Sequence, residues 1–452
     1  MTIYECSQRR LLNVKLQSSM AKIVSDLHLH SAYARATSKN LNFDTLTQWA
    51  KIKGIDLLSS ADFTHPAWFA ETKSKLKEDG SGLLSYNNFK FILGAEVSCI
   101  FSQGGKLRRV HLLLYVPTIA AAEKVNQELG KRGKLASDGR PILGLAAKTV
   151  LEILLAAEPN SIMIPAHAWT PWFGVLGQNG GFNSLDECFG DLSKYIYAIE
   201  TGLSSDPEMN WRIKELDNRS IVSFSDAHSA PKMGRELTIL NSDYNYDSIL
   251  ESLKNQKIDS TIEFFPEEGK YHYNGHRNCN FKETPEQTLK RDLICPECKR
   301  PLTIGVMHRV ATLAKKDRPE GFQAKDRPGF KKFVPLQEII AETLGSPVSS
   351  KRVQENYFDL VNSFGNEIDI LTKIDPEEAG NKIGSQKLTE ALIKVRSGDI
   401  FIDPGYDGVY GEVHIWGQGS SKKKDNFTKE TSKKVQETEP KNTSKNQLNL
   451  FD

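Results

Sequence analysis

Nothing in this chain of 452 residues stays apolar for long. No run approaches the ~18 apolar residues that a bilayer-crossing helix needs, so no segment is expected to span a membrane. Hydrophobic residues make up 39% of the chain, slightly below the ordinary share, and a polar C-terminal stretch accounts for part of the deficit. Cysteine is also sparse. Cys6, Cys99 and Cys188 are scattered, while Cys279, Cys295 and Cys298 cluster. That usage does not suit a disulfide-stapled secreted protein and reads as a reducing cytoplasm with one metal-type cluster. The first 20 residues lack a continuous apolar core and a small-residue cleavage site. They read as an N-terminal extension, 1–21, rather than a secretory signal. Excess charge of one sign is absent too: the net charge is +2, so any basic surface must be local. The length fits about three domains.

Against that background one stretch stands out, Ser25-Asp26-Leu27-His28-Leu29-His30-Ser31. It follows Lys22-Ile23-Val24, a buried-strand pattern. Alternate residues of a strand share a face. His28 and His30 therefore converge, with Asp26 behind them, as metal ligands do.

From Lys22 to about Ile262, short β runs alternate with amphipathic helices, which predicts a parallel sheet or an α/β barrel. The expected strands are Ile23-Val24, Ile55–Leu58, Phe91–Glu96, Val110–Val116, Ser161–Pro165, Tyr195–Glu200 and Ser220–Phe224. Asn42 to Lys53 has helical periodicity and Gly54 closes it. Metal-type side chains sit in or just after these strands: His28 and His30, Asp62 and His65, Glu96, His111, His167, Glu200, then Asp226 and His228. Packing does not explain so many at strand ends, where barrel chemistry takes place. Histidine and carboxylate without cysteine suit zinc, manganese or iron. The candidates exceed what one ion can use, and Glu96 can bridge two. Such a site makes hydroxide from water and offsets phosphoryl charge.

His28-x-His30, Glu96, His111, His167 and Asp226-x-His228 resemble the polymerase and histidinol phosphatase (PHP) superfamily. The closer resemblance is to the endonuclease Q family. It is carried by Asp26–Ser31, Arg35–Asn40, Ala61–Pro66, His167–Gly174 and the cysteine cluster, and runs from about Lys22 to about Gly417. The resemblance implies a distorted (β/α)7 barrel holding two or three divalent ions (zinc, manganese or magnesium). It implies a metal-dependent DNA repair endonuclease that nicks 5′ to uracil, hypoxanthine, xanthine or an abasic site by attack of metal-activated hydroxide. His28, His30, Glu96 and Asp226 would hold the first ion, and Glu96, His111 and His167 the second. Asp62, His65 and His228 would serve a third or orient the nucleophile, with Glu200 the weakest ligand candidate. Asp226, Glu96 and His228 are the expected catalytic residues. Many PHP proteins carry a further histidine near position 36, where this chain has Ala36, and His65 is the candidate replacement. A nuclease that tests bases must lift them from the stack. Trp169, Trp172 and Phe173, directly after His167, either stack on a base or pack the barrel mouth.

His276-x2-Cys279 … Cys295-x2-Cys298 has the spacing of a structural zinc site, since a two-residue gap presents both ligands to one tetrahedral ion. His272 is the alternative fourth ligand. Beyond it runs a basic track including Arg300, Arg309, Lys315, Lys316 and Arg327, read as a path for the phosphate backbone of damaged single- or double-stranded DNA. Lys106, Arg108, Arg109, Lys131, Arg132, Lys134 and Arg140 form a second basic patch near the barrel. Gln337–Leu344, Val353–Phe364 and Gln386–Arg396 read as helices. The glycine-rich closing segment carries exposed-looking tyrosines, among them Tyr406, a candidate DNA contact.

The expected organisation is an extension (1–21), the PHP-type barrel (22–262), a zinc module (263–310), a basic loop with a helical domain (311–419) and a disordered linker (420–446). A terminal peptide (447–452) ends the chain. Residues 420–446 have almost no apolar content and read as a tether. Gln447, Leu448, Leu450 and Phe451 resemble the bacterial sliding-clamp motif, which implies a bacterial, nucleoid-associated cytoplasmic location. Two other classes compete. A small-molecule phosphoesterase of histidinol phosphatase type needs none of the zinc module, basic track or tail. A non-enzymatic clamp-tethered DNA binder needs no full ligand set.

Overall fold

Seven strands follow one another around a ring in the computed structural model, which describes residues 21–290 and 292–417. They are β1 (Lys22–Asp26), β2 (Leu57–Ser59), β3 (Phe89–Gln103), β4 (Lys106–Val116), β5 (Ile162–Pro165), β6 (Ala198–Glu200) and β7 (Ser220–Val222). β1, β2 and β3 pair in parallel. β4 runs antiparallel to both β3 and β5, and β6 and β7 are parallel. Two contacts complete the circuit. The Ala168 N–H donates to the Glu200 carbonyl at 2.9 Å, joining the exits of β5 and β6. A parallel bridge between Leu29 and Ala227 joins those of β1 and β7.

Every strand of the ring contributes to one apolar cluster: Ile23, Leu57, Ile92, Leu113, Ile164, Ala198 and Val222 are each at most 2% exposed. Burying such side chains is the main favourable term in forming the ring. β1 has a second neighbour, β8 (Leu237–Asn241), which is followed by β9 (Ile258–Glu263) and, parallel to it, β10 (Gly329–Lys332). Part of the basic segment beyond the zinc module is thus a strand of the main sheet.

The largest departure from the expected alternation is the β3–β4 hairpin. Strands expected over Phe91–Glu96 and Val110–Val116 extend to Gln103 and back to Lys106. Gly104 and Gly105 both take positive φ, 60° and 70°, the backbone of a two-residue hairpin turn. A direct antiparallel return therefore replaces a helical crossover.

The helix Phe43–Lys53 begins on Asn42, whose side chain accepts the Thr45 N–H, and ends on left-handed Gly54. The C-terminal helices are Leu336–Leu344, Lys351–Phe364, Glu367–Thr372, Pro376–Lys382 and Gln386–Ser397. Periodicity does not predict the third and fourth, which are short and open on a capping Asn366 and Asp375. Lys53 and Glu367 form a buried ion pair of 2.6 Å between the first helix and this group. Among the described residues no helix is long and apolar enough to cross a membrane. Residues 1–20 and 418–452, which include Cys6, nearly all of the N-terminal extension, the linker and the clamp-type peptide, lie outside the described set.

Candidate metal centre

The ring closure decides where the ligands meet. His28-x-His30 leaves β1, Asp226-x-His228 leaves β7, and the middle residues Leu29 and Ala227 are the bridged pair. His28 and His30 are thereby set beside Asp226: its Oδ1 lies 3.4 Å from His28 Nε2 and 3.1 Å from His30 Nε2. On the hairpin, Glu96 faces Leu113 and Ser98 faces His111. Glu96 and His111 are thus diagonal neighbours on one face of the sheet, within side-chain reach. His167 follows β5.

Glu96 joins two groups of ligands. Its Oε2 is 3.3 Å from His28 Nε2 and 3.1 Å from His30 Nε2. Its Oε1 is 2.8 Å from His111 Nδ1 and 3.3 Å from His167 Nε2. Ligand atoms of His28, His30, Glu96 and Asp226 lie within 4.8 Å of one another, as do those of Glu96, His111 and His167. Both sets are metal-capable, and the local chemistry fits cations. His28 Nε2 is buried without a hydrogen-bond partner, and Glu96 Oε1, close to His111 Nδ1, has no well-aligned one, a costly state for polar atoms that a cation relieves.

Charges around the centre agree. Burial works against a protonated His28, yet Glu200, Asp226 and Glu96 outweigh it and hold its pKa well above the ordinary value. Burial pushes His111 down to about 3. Burial opposes an ionised Glu96, but Arg140, His111 and His28 keep it well below the usual carboxylate range. Arg140, read from sequence as part of a basic surface patch, places Nη1 3.0 Å from Glu96 Oε2.

The remaining candidates surround these sets. Glu200 accepts from His28 Nδ1 at 2.9 Å and from the His167 N–H at 2.6 Å. Asp62 accepts from the Ser31 N–H at 2.7 Å and lies 3.2 Å from His30 Nδ1. Carboxylates behind imidazoles orient the rings and raise their basicity. His65 belongs to neither set. Its Nδ1 accepts the Trp68 N–H at 3.4 Å, capping the helix Pro66–Lys75, and its ring stacks on Tyr33. His228 is also outside both sets: its Nδ1 lies 2.8 Å from the Asp226 carbonyl and its ring 4.7 Å from that of His30. Asp62, His167 and Asp226 all take positive φ, 37°, 29° and 47°, strained values of the kind that gather at functional sites.

The second centre is separate. His276, Cys279, Cys295 and Cys298 bring their ligand atoms within 4.8 Å, on and beside the hairpin Asn274–His276/Phe281–Glu283. Against burial, the backbone N–H groups of Cys298 and Glu297 lower the Cys295 thiol pKa, which favours the thiolate that binds metal. His272 is buried elsewhere, with no partner at Nδ1. Thus His276, not His272, is the fourth member.

Two crystal structures share this fold. The lesion-specific endonuclease PfuEndoQ from Pyrococcus furiosus is 31% identical, with a TM-score of 0.77, over 87% of this chain and 96% of that one. Endonuclease Q in complex with a 27-mer duplex carrying an abasic lesion at the active site is 32% identical, with a TM-score of 0.76, over 88% and 97%. The chain belongs to the endonuclease Q family. A family model, the MJ0043 C-terminal domain, matches residues 335–399, the helical group. The uncharacterized protein YqxK of Bacillus subtilis is 28% identical over 415 residues, 87% of this chain and all of that protein. The uncharacterized protein MJ0043 of Methanocaldococcus jannaschii is 32% identical over 257 residues, 55% of this chain. That match spans about a third of MJ0043, 31% of its length.

The DNA-contact candidates of this endonuclease Q family member divide by exposure. Lys315, Lys316 and Arg300 are exposed. Trp172 is half-buried with its edge on the Tyr271 ring, and Phe173 lies 4.4 Å from the His111 ring. Trp169 is a correction: it is 1% exposed and its indole N–H donates to Asn210 at 2.7 Å, so it packs the core. Tyr406 is a second: it is buried against Gly275, with its hydroxyl on Asn280 at 2.6 Å. Arg309 donates to the Leu176 and Phe182 carbonyls, and Arg327 to those of Asp217 and Arg219. These two guanidiniums tie loops together.

Proposed function

We propose that the protein is a metal-dependent DNA repair endonuclease that nicks the phosphodiester 5′ to a deaminated base or an abasic site. The observation that carries this reading is the Glu96 carboxylate, with one oxygen in each of two metal-capable sets. Its setting supports the reading: the fold is shared with a lesion-specific endonuclease and with an enzyme bound to abasic duplex. We read the seven-strand ring as a PHP-type barrel and the His276–Cys298 centre as a structural zinc site.

Divalent ions held by His28, His30, Glu96 and Asp226, and by Glu96, His111 and His167, would supply activated water and offset phosphoryl charge. The chain's own groups do the positioning. Glu200 and Asp62 fix the rings of His28 and His30. Thr170 lies 2.8 Å from His167 Nδ1 and fixes that ring. Phe173 covers His111 and limits water there. Arg300, Lys315 and Lys316 offer exposed charge for the DNA backbone. The terminal peptide Gln447–Asp452 would bind a bacterial sliding clamp, tested by loss of clamp capture on removing it.

The test is nicking of a duplex carrying one uracil or abasic site, with manganese or magnesium. Asp226→Asn and Asp226→Ala should abolish nicking while duplex binding survives. Retained nicking by Asp226→Ala overturns the assignment. Turnover of small phosphomonoesters without nicking would favour the phosphoesterase reading.

A further inference from the structure

Arg140 belongs to neither ligand set, yet its guanidinium reaches the shared carboxylate of the metal centre. We propose that Arg140 is a catalytic phosphate-binding residue, whose guanidinium takes a non-bridging oxygen of the phosphoryl group beside the two cation sets. The proposal rests on the nuclease reading for its substrate, a DNA phosphodiester.

The first argument is placement. The loop carrying Arg140 is pressed against the ligand frame from several sides. The Gly139 N–H donates to the Tyr33 carbonyl at 3.1 Å and the Ser98 N–H to the Pro141 carbonyl at 3.0 Å. The Arg140 N–H donates to Asp138 Oδ1 at 3.0 Å. A Cβ at position 139 would fall 2.3 Å from Asp62 Oδ2, the carboxylate behind His30. Only glycine lets the loop come so close. The side chain at 140 is consequently delivered to the centre rather than to bulk solvent.

The second argument is valence. A guanidinium has five N–H donors, and Arg140 spends Nη1 on Glu96 Oε2. Its side chain keeps about a quarter of its surface exposed, 26%, while Glu96 is fully covered. The arginine therefore bounds the centre where a ligand can arrive, with donors to spare. Arg forks match phosphate oxygens in pairs.

The third argument is charge. Glu96 holds a single negative charge, shared between two cation sets and one guanidinium. With both sets filled by divalent ions, Glu96, Asp226, Asp62 and Glu200 set four negative charges against the ions and Arg140. The single negative charge of a phosphodiester balances the positive remainder. Preformed donors at developing charge act strongly in such dry sites.

The experiment uses the full chain and two probes. Manganese-loaded wild type, Arg140→Gln and Arg140→Lys are titrated with inorganic phosphate, and manganese content is counted by mass spectrometry. Single-turnover nicking of abasic duplex is measured in parallel. The expected results are undiminished manganese content, phosphate affinity reduced about tenfold or more in Arg140→Gln, and nicking slowed roughly 100-fold. Arg140→Lys should fall between, and added guanidinium ion should partly restore Arg140→Gln. Wild-type phosphate affinity in Arg140→Gln overturns the proposal. So does loss of manganese, which would make Arg140 a support for Glu96. If wild type nicks no lesion duplex while Arg140→Gln still loses phosphate affinity, the nuclease reading fails and the Arg140 assignment stands.

Discussion

Glu200 holds both of its oxygens against one imidazole nitrogen, at 2.9 and 3.1 Å from His28 Nδ1. The second oxygen also accepts the backbone N–H of His167 at 2.6 Å. One carboxylate thus sets a ring in the first ligand group and a main-chain turn in the second. Glu200→Gln keeps the shape but removes the charge that makes His28 basic. Manganese affinity, measured by chelator competition, should fall about 10–100-fold, with the melting temperature little changed. Unchanged affinity would show that Glu200 serves only the His167 turn.

What the sequence discloses at this centre is what short-range geometry controls. His28-x-His30 is legible because alternate residues share a face, and Asp226 because it follows the last strand of the ring. Glu96, His111 and His167 are legible because each sits in or just after an apolar run. His65 and Trp169 lie in motifs beside ligands, yet His65 caps a helix N-terminus and Trp169 donates to Asn210. Arg140 was visible only as a basic residue, because its aim depends on Gly139 passing close to Asp62, 77 positions earlier in the chain. Arg309 and Arg327 looked like a charge track, but each is captured by carbonyls more than 100 residues away. No local pattern records such contacts.

The His276–Cys298 group should behave as a staple. Cys295 is fully buried in a short segment with little apolar cover, and Leu289, Leu293 and Ile294 nearby are exposed. Segments this poor in core depend on metal for their shape. Cys295→Ser should lose one equivalent of zinc and open the chain to trypsin at Lys299, while manganese at the first centre is retained. Zinc loss without new cleavage would argue that the hairpin stands by itself.

Lys53 and Glu367 should be worth far more than a surface pair. Their side chains are 4% and 6% exposed. Glu367 Oε2 also accepts the Tyr357 hydroxyl at 2.6 Å, and Oε1 the Leu336 N–H at 3.1 Å. Glu367→Ala leaves a buried ammonium and an unpaired amide, a loss of about 3–5 kcal/mol for such sites. Hydrogen exchange over Leu336–Leu344 should accelerate accordingly. In the double variant Lys53→Met/Glu367→Leu much of that loss should be recovered, since both buried charges go together. Equal instability of the single and double variants would point to lost packing instead.

Glu263 gives a pH dependence of opposite sign to that of a paired carboxylate. It is fully buried beside the exits of β6 and β7, with the hydroxyls of Ser223, Thr261 and Thr201 on its oxygens. Burial raises its pKa to about 7, against an ordinary value of 4.5, and these hydroxyl contacts only partly oppose the rise. Between those two values the native chain holds a proton that the unfolded chain has released. Its contribution is therefore complete below pH 4.5 and is lost as pH climbs through 7. Glu263→Gln keeps the shape and carries no ionisable proton. Its melting temperature relative to wild type should rise between pH 5 and pH 8, because only wild type must bury a carboxylate or retain its proton at a growing cost. A difference that stays flat across that range would mean Glu263 is ionised throughout, held by its three hydroxyl donors.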